Sequence, residues 1–267
     1  MDTRPVGIYD SGVGGLTGLK ALRRLLPGED FVFFGDSGRM PYGPRSKEEL
    51  RRIAKQDMDY LAQFHVKAIL AACGTISSAA RPVLESYPIP AFGVVDPALD
   101  AMARVPGDEP LCVIATAASI QSGEFTDALQ KRCPGREIVG LPCPEFAPMI
   151  EAGHIRRDDP VVTGAVRRAL EPIKGKAFGA ILLGCTHYGI IEDAIRDYLG
   201  EDAPLLSASE CAALALRDHL VQNGLVNTEG GAVRLFDSGD LTQFKAFAIP
   251  YLELGPVPVE AAPLMEL

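Results

Sequence analysis

The chain of 267 residues has no excess of positive charge. Its 26 lysines and arginines stand against 35 acids, for a formal net charge of −9. That balance argues against a nucleic-acid surface or a face for acidic membranes, since both need cationic surface. It also gives an anionic small molecule no long-range attraction, so any carboxylate must be recognised locally. No stretch reaches the roughly 18 apolar residues of a membrane span. The start, Met1-Asp2-Thr3-Arg4-Pro5-Val6, lacks the apolar core of a secretory signal, and the expected location is cytoplasmic. Low-complexity tracts and extended linkers are missing too. None of the six cysteines (Cys73, Cys112, Cys133, Cys143, Cys185, Cys211) belongs to a Cys-x-x-Cys pair. The spacing excludes a disulfide framework and the usual structural zinc site, so no metal is expected. Cys112, Cys133 and Cys211 read as small buried hydrophobes.

What is present is an alternation of apolar runs and amphipathic stretches. Strands are expected over 6–9, 31–34, 68–72, 111–115, 137–141, 180–183 and 233–236. Helices are expected over 16–26, 48–64, 77–84, 122–131, 146–152, 161–172, 188–199 and 207–220, with Ser46 and Glu49 forming a capping box on the second. Such alternation implies mostly parallel sheets with right-handed crossovers. Within it Ala68-Ile69-Leu70-Ala71-Ala72-Cys73 recurs as Ala180-Ile181-Leu182-Leu183-Gly184-Cys185. The expected fold class is therefore α/β, with two similar domains of mostly parallel sheet related by pseudo-symmetry. Their natural boundary falls near Asp96-Pro97 or Pro106-Gly107.

Two thiols at the carboxyl ends of equivalent strands stand where open α/β sheets place their chemistry. Facing one cleft, they would serve as base and acid on opposite sides of one carbon, which inverts a stereocentre. Cys185 has Thr186 and His187 beside it, and the imidazole is able to exchange a proton with the thiol. Cys73 has no histidine nearby, and Asp10 at another strand end is placed to serve it. Asp10-Ser11-Gly12-Val13-Gly14-Gly15-Leu16 also fits part of a dinucleotide-binding loop, with Asp36 after the second strand. The third glycine position is Thr17, however, and Asp10 would repel a pyrophosphate. The Gly- and Pro-dense loop around Pro41-Tyr42-Gly43 reads as a turn that also offers backbone groups to a polar ligand.

These motifs, with Cys143-Pro144, Glu151-Ala152-Gly153 and Leu183-Gly184-Cys185-Thr186-His187-Tyr188, resemble the glutamate racemases of the aspartate/glutamate racemase superfamily over nearly the whole chain. The resemblance implies two α/β domains, residues 1–97 plus 208–267 and residues 98–207, with the active site in the cleft between them. It implies a cofactor-independent racemase interconverting L- and D-glutamate and supplying D-glutamate for peptidoglycan. Cys73 matches the thiol that works on the D enantiomer and Cys185 the one that works on the L. Asp10 and His187 match the groups assisting them, and Glu151 a further carboxylate on the His187 side. Asp10, Ser11, Pro41, Tyr42, Gly43, Gly74, Thr75, Ser119, Thr186 and His187 match substrate contacts. The chain departs from the family at Gly74, where asparagine is usual and helps hold the substrate. It departs again at Ser119, usually threonine, and at Gly189, usually proline.

No motif marks a pyridoxal lysine, so no cofactor is expected. The carbanion would then be stabilised by preorganised hydrogen bonds, with Ser11, Thr75, Thr186 and helix N-terminal amides holding the carboxylates. The expected partner is free glutamate, and a second copy of the chain is compatible with the reading. Three alternatives stay open: a racemase of another amino acid, a Cys–His acyl-transfer enzyme using Cys185 and His187 alone, and a non-catalytic amino-acid-binding module.

Overall fold

Runs such as Val6-Gly7-Ile8-Tyr9 and Phe31-Val32-Phe33-Phe34 have no polar alternation, as expected of strands covered on both faces. In the computed structural model, which describes residues 1–255 and 257–265, such runs build two wholly parallel sheets of six and four strands. The chain forms two units, Met1–Val94 with Ala212–Leu267, and Val95–Cys211.

The first unit opens with β1 (Val6–Asp10), α1 (Leu16–Leu25), β2 (Phe31–Gly35), α2 (Lys47–Ala62) and β3 (Ala68–Ala71). It continues through α3 (Gly74–Ala79), α4 (Arg81–Ser86) and β4 (Ala91–Gly93). The second contains α5 (Val95–Ala103), β5 (Leu111–Ala115), α6 (Ala117–Gln121), α7 (Thr126–Arg132), β6 (Ile138–Pro142), α8 (Phe146–Glu151), α9 (Pro160–Leu170), β7 (Ala180–Leu183), α10 (Glu192–Leu199) and β8 (Leu205–Ser207). The chain re-enters the first unit within α11 (Ala208–Gln222), then adds β9 (Val233–Asp237), α12 (Leu241–Tyr251) and β10 (Val259–Ala261).

The first sheet runs β10-β9-β2-β1-β3-β4 and the second β6-β5-β7-β8. Four strands of the first thus repeat the order of the second: second, first, third, fourth in chain order. Register sharpens the equivalence, because Tyr9 faces Ala71 and Ile114 faces Leu183. Cys73 and Cys185 each stand two residues past those partners, at matching levels of matching strands. Among the described residues no helix is long and apolar enough to cross a membrane.

Several elements differ from expectation. The helix read over 77–84 is two helices, α3 beginning directly after Cys73 and α4 carrying Pro82 in its first turn. Proline supplies no backbone N–H and so suits a helix start rather than an interior. The helix read from 188 begins as a 3-10 segment, Thr186–Ile191, before α10. Residues 117–132 are divided at Gly123, whose φ of 69° ends α6. β4, β8 and β10, of three residues each, and helices α5 and α12 are additional to the expected elements.

The first unit's core gathers Tyr9, Phe34, Ile53, Met58, Leu61, Ile69 and Ile76, with Cys73 and Tyr42 in the same cluster. At the opposite end of β1, Lys67 and Glu29 form a buried ion pair with N–O 2.7 Å. Lys67 Nζ also donates to the carbonyls of Asp2 (2.6 Å) and Leu225 (2.8 Å), and Glu29 Oε1 accepts from the Asn227 amide at 2.6 Å. One cation thus ties the amino-terminal segment and the returning chain to the same sheet.

Candidate active site

In the first unit β1 ends on Asp10 and β3 on Ala71, so Ser11 and Cys73 leave the sheet at one level. The Cys73 thiol donates to Ser11 Oγ across 3.8 Å. Cys73 is the N-cap of α3 in extended conformation, and its carbonyl accepts from Ser77 N at 2.9 Å. Ser77 Oγ donates back to that carbonyl (2.8 Å) and accepts from Val94 N (2.9 Å), fixing the turn beneath the thiol. Gly74 and Thr75 form the first turn of α3, both half-buried.

Asp10 is completely buried. Gly15 packs against it so closely that a Cβ there would stand 2.4 Å from Asp10 Cβ and 3.2 Å from Ala72 Cβ. This glycine therefore serves close approach to the aspartate itself, a role the glycine-rich turn did not announce.

Tyr42 sits elsewhere than a side-chain substrate contact would suggest. Its hydroxyl is directed at Asp36 and at Asp57 Oδ2 (3.1 Å). Arg39 donates to Asp36 Oδ2 and Asp57 Oδ1, each at 2.6 Å, and Ser238 Oγ donates to Asp36 Oδ1 at 2.9 Å. Asp36 is thereby consumed in a buried network and has no freedom to meet a ribose, against the dinucleotide alternative. Pro41 and Gly43 are exposed, and a Cβ on Gly43 would meet nothing within 4 Å, so this loop presents backbone to the outside while its tyrosine anchors it.

In the second unit β7 ends on Leu183, and Cys185 caps the 3-10 segment, its carbonyl accepting from Tyr188 N at 3.0 Å. Cys185 Sγ lies 3.7 Å from His187 Nδ1, and His187 Nε2 lies 2.6 Å from Glu151 Oε1. Glu151, the last residue of α8, thus completes a carboxylate–imidazole–thiol chain. Burial of His187 disfavours its cation. The bonds to Cys185 and Glu151 outweigh that and hold the imidazole well above its ordinary value. Thr186 is buried beside them. Ser119 lies in α6, where Thr116 donates to its hydroxyl at 3.1 Å and accepts from its amide at 3.2 Å.

Three other cysteines lie away from these contacts. Burial pushes the thiols of Cys112 and Cys143 up to about 12 and that of Cys211 up to about 11, as for cysteines that pack rather than react. Cys143 contributes its carbonyl, which accepts from Tyr188 Oη at 2.8 Å, while Tyr188 packs edge-on against Phe146 with ring centroids 5.0 Å apart. Among the described residues no group of three His, Cys, Asp or Glu side chains is placed to hold a metal ion.

Two parallel α/β sheets thus each present a thiol at the same strand end, one beside a serine hydroxyl and the other beside an imidazole. A profile of the Asp/Glu/Hydantoin racemase family matches residues 19–220, and the chain belongs to that family. A glutamate racemase of Thermoanaerobacter pseudethanolicus is 34% identical over 245 residues, 91% of each chain. The crystal structure of glutamate racemase isoform RacE1 from Bacillus anthracis superposes with a TM-score of 0.88 at 32% identity, covering 99% of each chain. That of Francisella tularensis glutamate racemase in complex with D-glutamate gives 0.85 at 33% identity, again over 99% of each.

Proposed function

We propose that the protein is a glutamate racemase, an isomerase that interconverts L- and D-glutamate by two-base proton transfer without a cofactor. The observation that carries this is the pair of thiols at register-equivalent strand ends, each with its own proton partner. In the direction from L to D, Cys185 as thiolate removes the α-proton, and Cys73 as thiol delivers one to the opposite face. The roles exchange in reverse. The imidazolium of His187, backed by Glu151, favours the Cys185 thiolate, and Asp10 with Ser11 serves Cys73. Thr75, Thr186, Ser119 and the amides of the Pro41–Gly43 loop and of the helical segments after each thiol hold the substrate carboxylates and the charge that develops on the carbanion. The product D-glutamate would enter peptidoglycan, and the protein would act in the cytoplasm.

The test is solvent exchange. In D2O, wild type should wash deuterium into the α-position of glutamate while circular dichroism falls to zero, and Cys73→Ala and Cys185→Ala should each abolish racemisation. Normal racemisation by either variant would defeat the two-base reading, and absence of exchange with glutamate but not with another amino acid would redirect the substrate.

A further inference from the structure

The network behind Tyr42 holds more carboxylate than its cation can neutralise. Asp36 and Asp57 are completely buried, and Arg39 is 5% exposed. Its guanidinium donates through Nε to Asp36, through Nη2 to Asp57, and through Nη1 to Gln56 Oε1 at 2.5 Å and the Met265 carbonyl at 3.4 Å. Two ionised carboxylates against one arginine would leave a net buried negative charge. Hydrogen-bond capacity points the same way. A phenol has one proton to donate, yet Tyr42 Oη lies within bonding distance of both Asp36 Oδ2 and Asp57 Oδ2. Two ionised acceptors cannot both be satisfied by it.

We propose that Asp57 is a neutral carboxylic acid in the folded protein and, through its proton, a positioning residue for the Pro41–Tyr42–Gly43 loop. Asp57 Oδ2–H donates to Tyr42 Oη, Tyr42 O–H donates to Asp36 Oδ2, and Arg39 pairs with Asp36 as a single ion pair while also donating to Asp57 Oδ1. The Tyr42 hydroxyl then donates once and accepts once, both carboxylates are bonded, and the charge of the three ionisable acids and bases sums to zero. Burial first, then the charge of Asp36, raises Asp57 well above the usual carboxylate value, against the opposing pull of Arg39 and Tyr42. Tyr9 of β1 is a further ionisable group coupled to it, its phenol raised by burial first and then by Asp57, Cys73 and Asp10. Tyr42 and Cys73 belong to the same buried cluster, so the network adjoins the thiol's surroundings as well as the loop. The positioning role rests on the racemase reading above; the protonation state does not.

Asp57→Asn and Asp57→Leu separate the alternatives. An amide keeps a donor toward Tyr42 and an acceptor toward Arg39, whereas leucine keeps neither. The infrared difference between wild type and Asp57→Asn, without substrate, should contain the carbonyl stretch of a protonated carboxylic acid. Asp57→Leu should accelerate amide hydrogen exchange over 40–45 and raise KM for glutamate about tenfold, the loss of one buried hydrogen bond, with kcat changed less. Asp57→Asn should return both measures to within about twofold of wild type. An ionised-carboxylate signal in the infrared difference, or an asparagine variant as impaired as the leucine one, would overturn the proposal. If Asp57→Leu fails to fold, the infrared comparison still decides. A protein that exchanged no glutamate would refute the functional reading alone, while the infrared and hydrogen-exchange results would continue to report on Asp57.

Discussion

Replacing Glu151 by glutamine isolates the charge behind His187. The two side chains are 9% and 16% exposed for His187 and Glu151, and their bond is 2.6 Å long, so solvent screens it little. A hydrogen bond to a charged partner contributes about 1.5–3 kcal/mol, against about 1 kcal/mol between neutral groups. The amide preserves shape and loses the difference, about 0.5–2 kcal/mol. At 1.36 kcal/mol per unit, the His187 titration should fall by about one pH unit. The sign follows from the folded state. Because His187 is raised above its ordinary 6.5, the stabilisation by its cation is fully present below that value and is lost as pH rises through the folded one. Glu151→Gln should bring that loss to lower pH. Ring proton NMR, with His187 assigned by its disappearance in His187→Asn, gives the titration directly. The alkaline limb of kcat/KM for L-glutamate should move with it. If His187 titrates unchanged in Glu151→Gln, the carboxylate does not tune the imidazole and its place in the relay is wrong.

Gly15→Ala should displace Asp10, since the new Cβ would start 2.4 Å from the aspartate's own. Overpacking of this kind costs about 1–3 kcal/mol, and a shift of about 1 Å at a reacting group costs on the order of a hundredfold in rate. Urea unfolding and kcat measured together check it, and wild-type kinetics would refute the close-packing role. Lys67→Met strips the buried Glu29 of its cation and should destabilise the fold by about 3–5 kcal/mol, with much of that restored in the double variant Lys67→Met, Glu29→Met. An unchanged urea midpoint in the single variant would show that the pair holds nothing together.

The strands that organise both sheets were legible because a parallel strand covered on both faces is a continuous apolar run, and β1, β2, β3, β5 and β7 are of that kind. β4, β8 and β10 were not, since three residues carry no period that distinguishes strand from loop. The candidate thiols and His187 stand out in the sequence because they lie within a few residues of a repeated motif. Ser77, by contrast, looks like any polar residue of a short helix until its bonds to Cys73 O and the Val94 amide are seen. Asp57 was missed for a deeper reason. It falls in a charged stretch, Lys55-Gln56-Asp57-Met58-Asp59, where one carboxylate of α2 is buried and its neighbour Asp59 pairs with Lys55 on the surface at 2.6 Å. Only Arg39 and Tyr42, brought up from a different loop, distinguish the two.

The return of the chain after α11 has a consequence for synthesis. β2 pairs with β1 on one side and with β9 on the other, and β9 is made some 200 residues later (233 against 31). As the polypeptide leaves the ribosome, all four strands of the second sheet become available while β2 still presents an open, wholly apolar edge. A bare edge of that kind templates pairing with other chains. The second sheet therefore has all its strands before the first, which carries its hazard until β9 arrives. A stall in translation between α11 and β9 would leave Phe31-Val32-Phe33-Phe34 uncovered at a time when every candidate catalytic residue had already been made.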